Sequence, residues 1–292
     1  MQRVDGIIKW TLFGVSCSSI LLLAGIFFFL FTTGIKAFQV ISWSQFFLGS
    51  LWNPEAYAGP QWGILGLIIG TLMVAGGALL FAMPLGLASA IYLSEMASAP
   101  WRETLKPLLE MIAAIPSVVL GLIGLIFVSP LVASVFGISS GLSALTSSLI
   151  VGIMILPTII SISEDVLSSL PKDFREASYA LGATRWQTIK KVLIPAATSG
   201  LVAAMMLALG RAVGETMAVL MVAGNSLAMP HSFLDPVRPM TATIAIEIKE
   251  VVQGSLHYQA LFAIGLVLFI FTFMINFLSD MVLEKQARKY RW

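Results

Sequence analysis

Apolar positions along this chain gather into six long runs, residues 10–33, 62–93, 108–135, 142–162, 196–223 and 258–278, separated by more polar stretches. Each run is long enough to cross a hydrocarbon layer of about 30 Å as a helix. The pattern predicts an all-α polytopic membrane protein with six transmembrane helices. The first run exceeds a signal-peptide core and shows no small-residue cleavage site before Lys36, so it reads as a retained span. The organisation that follows is a first span with its outer loop (1–61), a membrane core (62–281) and a basic tail (282–292).

Inside the runs, two features break the uniformity. Pro116 lies in the third, in EMIAAIPSVVLGLIG, where it frees a backbone carbonyl and predicts a bend facing protein or a water-filled path. Gly66 and Gly70 form a small-xxx-small pair in the second, which suggests close packing. Between the runs, the loop 35–61 and its end carry Trp43, Trp52, Tyr57 and Trp62, expected as anchors at the water–lipid boundary. The loop 225–257 contains TATIAIEIKEVV, with Ile244, Ile248 and Val251 at helical spacing and Gly254 able to end the helix. Periodicity alone leaves open a surface for a receptor and a re-entrant or surface-lying helix. The turn LSEMASAPWRETLKP, with Glu95, Arg102, Glu103 and Lys106, reads as a solvated loop.

Composition agrees with lipid as the main solvent: 58% of residues are hydrophobic and 11% charged, against about a quarter charged in soluble domains. The net charge of +2 says little about nucleic acid, because the basic residues are spread by topology. Arg3, Lys9, Arg102, Lys106, the 172–191 group and the 285–291 tail fall on one side, and Lys36, Arg238 and Lys249 on the other. The positive-inside rule then places both termini, and the loop 173–195, in the cytoplasm. Cys17 is the only cysteine, so no intrachain disulfide forms; His231 and His257 read as outer-surface residues rather than a metal site. Neither a phosphate-binding G-x-x-x-x-G-K-[ST] loop nor an H-E-x-x-H helix is present in the sequence.

The strongest polar island is DFREASYALGATRWQTIKKVLIP, residues 173–195. Asp173 and Glu176 have capping-box spacing, Gly182 stops the helix, and Thr184 with Gln187 repeats the box before Pro195 opens the next run. A helix-turn-helix is predicted, with Phe174, Ala177 and Leu181 on one helical face. Downstream, Arg211 and Glu215 stand well inside the fifth run, four residues apart and flanked by Gly210 and Gly214. An arginine at mid-membrane costs about 2.5 to 3.5 kcal/mol on insertion scales, so a partner or a pathway is expected. Two readings follow: an ion pair that locks helices, or a guanidinium fork for a tetrahedral oxyanion with Glu215 holding the arginine and limiting the strength of binding.

The loop resembles the EAA loop of bacterial ABC importer permeases through Glu176-Ala177-Ser178, Gly182 and Val192-Leu193-Ile194-Pro195, with Ser178, Val192 and Ile194 as departures. The run from Ala208 through Gly210-Arg211-Ala212-Val213-Gly214-Glu215-Thr216 to Val219, with Ile115-Pro116-Ser117-Val118-Val119, is similar to the PstC-type permeases of phosphate importers. Sulfate and molybdate permeases carry a related Arg-Ala-x-Gly-Glu stretch. The resemblance covers about 62–278 and implies a type I importer permease fold in a bacterial inner membrane. It implies a non-catalytic subunit that forms half of a phosphate pathway. It also implies a second PstA-type permease, two cytoplasmic PstB-type ATPases and a PstS-type phosphate-binding protein. No cofactor is expected on this chain; ATP and Mg would sit on the ATPase. Arg211 and Glu215 would line the substrate path, while Phe174, Glu176, Ala177, Leu181 and Gly182 would couple to the ATPase. An ion-coupled secondary transporter is the competing class.

Overall fold

The computed structural model describes residues 2–57 and 59–289, without the side chains of 2–7, 279–280 and 282–289. In chain order the helices are α1 (Gln2–Gly34), α2 (Trp43–Leu48), α3 (Leu65–Ile91), α4 (Ala99–Ala113), α5 (Ser117–Ile123), α6 (Ser129–Phe136) and α7 (Ala144–Ser168). They continue as α8 (Lys172–Ala180), α9 (Arg185–Thr188), α10 (Ile194–Gly214), α11 (Met217–Val222), α12 (Met240–Glu247) and α13 (Leu256–Lys289). Two strands, β1 (Trp52–Asn53) and β2 (Gln61–Trp62), make a small antiparallel pair in register Trp52 to Trp62. The predicted basic tail runs on as helix to Lys289, but its side chains and residues 290–292 lie outside the described residues.

Among the described residues, six helical segments are long and apolar enough to cross a membrane: Ile8–Gln39, Leu65–Met96, Ser117–Phe136, Ala144–Ser168, Arg185–Gly214 and Leu256–Leu278. The chain is therefore a multi-pass, all-α membrane protein. Wide π-helical turns at Tyr92–Met96, Gly124–Val128 and Ile189–Leu193 are built into three of these segments.

Two expected spans are cut short where the helix breaks. The third span starts at Ser117 rather than 108, because Pro116 is extended (φ −57°, ψ 135°) and caps α5 instead of bending a continuous helix. Residues upstream form the separate amphipathic α4. The fifth stops at Gly214, since Glu215 is also extended (φ −66°, ψ 129°).

No bulk hydrophobic force drives helices together in lipid, so close association depends on side chains small enough to let backbones meet. α3 and α7 meet most extensively. A methyl group added at Gly77 would collide with Ser148, one at Gly86 would lie 2.7 Å from Ile159, and one at Gly152 would lie 2.7 Å from Phe81. Val74, Ala75, Ala78 and Ala82 of α3 join Val151, Ile155 and Ile159 of α7, with Ala208 and Ala212 of α10, in the central core. Gly66 and Gly70 do pack closely, but against Ser50, Met229, Val237 and Arg238 of the loops rather than a second span.

α1 is peripheral and rests along α13, through Phe27 on Phe269 and Phe29 on Phe262. Beyond the spans, residues 35–64 fold into a cap over α12 and α13. This corrects the reading of the aromatics: Trp52 (1% exposed) and Trp62 are cap core, whereas Trp43 and Tyr57 are exposed. The apolar face of the segment around α12 likewise packs inward, so it is not a surface-lying helix. Thr241, Ala242 and Thr243 are buried, and Ile244, Ile248 and Val251 pack onto the cap core.

Candidate functional site

The loop between α7 and α10 is the predicted helix-turn-helix, with one cap misplaced. Pro171 caps α8, so Asp173 sits inside the first turn, where its charge favours the helix start, and the Asp173–Glu176 box does not form. The second box does: Gln187 N donates to Thr184 Oγ1 at 3.3 Å, and Thr184 N donates to Gln187 Oε1 at 2.8 Å. Gly182 takes φ +79°, a left-handed turn that a side chain would strain.

The expected common face divides. Phe174 packs inward against Leu167, Ile189, Leu193 and their neighbours, while Glu176, Ala177 and Leu181 stay exposed. Leu181, 89% exposed at the tip, has Tyr179 and Trp186 as exposed aromatic companions. Trp186 was not singled out from the sequence, although an aromatic within a charged loop is itself a signal.

The turn after α3 is not a solvated loop. Glu95 is buried and accepts from Arg175, through Nε at 3.2 Å to each carboxylate oxygen and Nη2 at 2.5 Å to Oε1. Arg175 also donates to the Leu167 and Leu170 carbonyls. Its hydrogen bond to Glu95 holds the guanidinium pKa above the ordinary arginine value. Arg185 donates to the Glu95 carbonyl. Next to this, Arg102 and Lys106 of α4 both pair with the buried Glu164 of α7, and Lys106 reaches Asp165 at 2.5 Å. The bond to Asp165 leads the effects that raise the Lys106 pKa.

Arg211 and Glu215 do not share a helical face, and no ion pair joins them among the described residues. Arg211 is exposed and its Nη1 donates to Thr158 Oγ1 of α7 at 3.0 Å. Glu215, in the gap between α10 and α11, accepts from Ala218 N at 3.1 Å and so serves the start of α11. Its carbonyl accepts from Thr241 Oγ1 of α12 at 2.9 Å. The break after Gly214 takes that carbonyl out of the helical ladder, and α12 supplies its partner. Among the described residues, the one side-chain hydrogen bond of the Arg211 guanidinium goes to a neutral hydroxyl.

At the outer end of α12, Glu247 is buried and accepts from Trp52 Nε1 at 3.0 Å, Arg238 Nη2 at 2.9 Å and His257 Nε2 at 2.8 Å. His257 is thus part of an ion cluster rather than a surface histidine; His231 is exposed, as expected. Burial by itself pushes the Glu247 carboxyl upward, but the His257 and Trp52 bonds and the Arg238 charge together hold it below the usual range. A folded pKa below the unfolded one means the cluster stabilises the cap above the ordinary carboxylate range, and that this is lost as pH falls through the depressed value. Acidification through that window is expected to change the Trp52 emission of the wild type, with Glu247→Gln showing no such transition; identical acid profiles for the two proteins would refute this.

A six-span helical bundle with an exposed helix pair in the loop between its fourth and fifth spans has the type I ABC importer permease fold. Residues 82–292 match the family described as binding-protein-dependent transport system inner membrane component, and the chain belongs to that family. It is 41% identical over 273 residues to the probable ABC transporter permease protein YqgH of Bacillus subtilis (strain 168), covering 91% of this chain and 88% of that protein. It is 37% identical over 290 residues to the phosphate transport system permease protein PstC of Mesorhizobium japonicum, covering 93% and 87%. Among solved structures, a bacterial ABC transporter involved in import of the acidic polysaccharide alginate aligns with TM-score 0.63 at 16% identity, over 97% of this chain and 99% of that one. The inward-facing MetNI methionine transporter aligns with TM-score 0.60 at 21% identity, over 76% and 95%. A permease subunit of this kind is not itself a catalyst.

Proposed function

We propose that this chain is one of two permeases forming the path of an ATP-driven inorganic phosphate importer. The observation that carries the reading is Arg211, whose guanidinium is exposed near the end of the fifth span, with Thr158 of the fourth span as its hydrogen-bond partner. A planar fork with free donors suits a tetrahedral oxyanion, and a neutral partner leaves the positive charge uncancelled. The permeases named for phosphate transport among its relatives support phosphate as that oxyanion. Glu215, held at the break, lies close in sequence to Arg211 and weakens retention of an anion, which favours release.

The partners are a PstA-type permease across the path, two PstB-type ATPases that hold ATP and Mg and take the loop around Leu181, and a PstS-type binding protein at the cap. The excess of basic residues on the loop side supports a bacterial inner membrane with that side, and both termini, in the cytoplasm. ATP-driven closure of the ATPases moves the loops and switches the path between outward and inward access.

Reconstitution tests this. Liposomes holding the full complex and ATP should take up phosphate, with ATP hydrolysis stimulated by phosphate-loaded binding protein. Stimulation by sulfate or molybdate in its place would reassign the substrate. Uptake by this chain alone under an ion gradient would make it a secondary transporter.

A further inference from the structure

We infer that Glu95 is a positioning residue for coupling: it fastens both helices of the docking loop to α3, so that the loop and the second span move together. The inference rests on the importer reading. Three facts carry it. The carboxylate of Glu95 is buried and taken by the Arg175 fork from α8. The carbonyl of the same residue is taken by Arg185, the first residue of α9. Between these two arginines the tip of the loop, with Leu181 and Gly182, is exposed, while Phe174 and the Arg175 bonds to the Leu167 and Leu170 carbonyls hold its base to the end of α7 rather than to α3.

Geometry gives the fastening its consequence. The docking loop has a covalent route to Arg211, because α9 leads through a π-helical turn into α10. The loop is joined by chain to the fourth span as well, through residues 169–171, but not to the second. Glu95 lies in the wide turn Tyr92–Met96 at the end of α3, and α3 is locked along α7 where Gly77 and Gly86 leave no room for a side chain. Through Glu95 a push on α8 and α9 therefore reaches the second span directly, together with the fourth and fifth. A buried ion pair is poor evidence of stability for its own sake, since burial costs much of what pairing returns. Fork geometry at both carboxylate oxygens does fix orientation, which is what a force-bearing joint needs.

The experiment uses the complete complex in liposomes and reads anion moved per ATP hydrolysed. Glu95→Gln keeps the shape of the side chain and loses its charge. The expected result is an assembled complex that still hydrolyses ATP within about twofold of wild type while transport per ATP falls roughly tenfold. Arg185→Gln removes the second attachment without stranding a carboxylate and should lower the same ratio; it decides the matter if Glu95→Gln does not assemble. An unchanged ratio overturns the inference. So does a parallel fall of transport and hydrolysis in proportion to assembled complex, the mark of a purely structural pair. The ratio is taken with whichever oxyanion the wild-type complex carries, so a wild type that moves sulfate would overturn the substrate assignment and leave this test standing.

Discussion

Replacing Arg211 by leucine is expected to abolish transport, by at least about a hundredfold, while the complex still assembles. The expectation follows from what the side chain does and does not touch. Its one hydrogen bond among the described residues goes to Thr158, a neutral hydroxyl, and its surface is exposed. Losing that bond costs about 1 kcal/mol of stability, and no carboxylate is left buried without its counter-ion, which is the situation that makes charge deletion severe. What vanishes is the positive fork. Arg211→Lys keeps the charge as a point but not the planar donors, so it should recover a minor part of the uptake. Uptake of radiolabelled phosphate, set against the amount of complex purified, measures both. Failure of Arg211→Leu to assemble with its partners would make the arginine a structural tie and remove it from the path.

Leu181→Asp should separate this chain from its ATPase. Leu181 stands at the loop tip, 89% exposed and flanked by Tyr179 and Trp186, so it contributes almost nothing to this chain's own fold. Apolar anchors that fill a partner's groove are worth about 2 to 4 kcal/mol when truncated, and burying a carboxylate in their place adds a desolvation penalty. Affinity should fall by roughly 30-fold to a thousandfold. Glu176→Lys, on the same exposed helix, is expected to weaken association in the same direction but less. Co-purification of the ATPase with tagged permease reads the effect; retention of full ATPase by Leu181→Asp would exclude the tip as the contact.

Local physics was legible in the sequence and distant pairing was not. The six spans follow from run length alone, and the Thr184–Gln187 box follows from spacing three residues apart. The Asp173 box failed for a reason equally local: Pro171 already occupies the cap with its fixed φ. At Pro116 a bend was expected where the helix breaks outright, and at Glu215 the break was missed, because apolar composition runs through both. At Glu215 the interruption is tolerated through Thr241, 26 positions later, so an i, i+4 argument could not have seen it. Glu95 with Arg175 spans 80 residues, and Trp52 with Glu247 spans 195. Arg211 was singled out because an arginine in an apolar run is anomalous by itself, and Leu181 by its helical spacing from Phe174 and Ala177 in the loop resembling an EAA loop; Thr158 carries no mark, and the one Trp186 carries, an aromatic in a charged loop, was passed over.

The glycines of the α3–α7 contact also say where this membrane protein can change shape. Gly77, Gly86 and Gly152 leave the two helices no play, because a single methyl group at any of them would already foul its neighbour. Spans two and four thus move as one rigid body. Changes of shape must be sought at the breaks around it: between α4 and α5 at Pro116, and between α10 and α11 after Gly214.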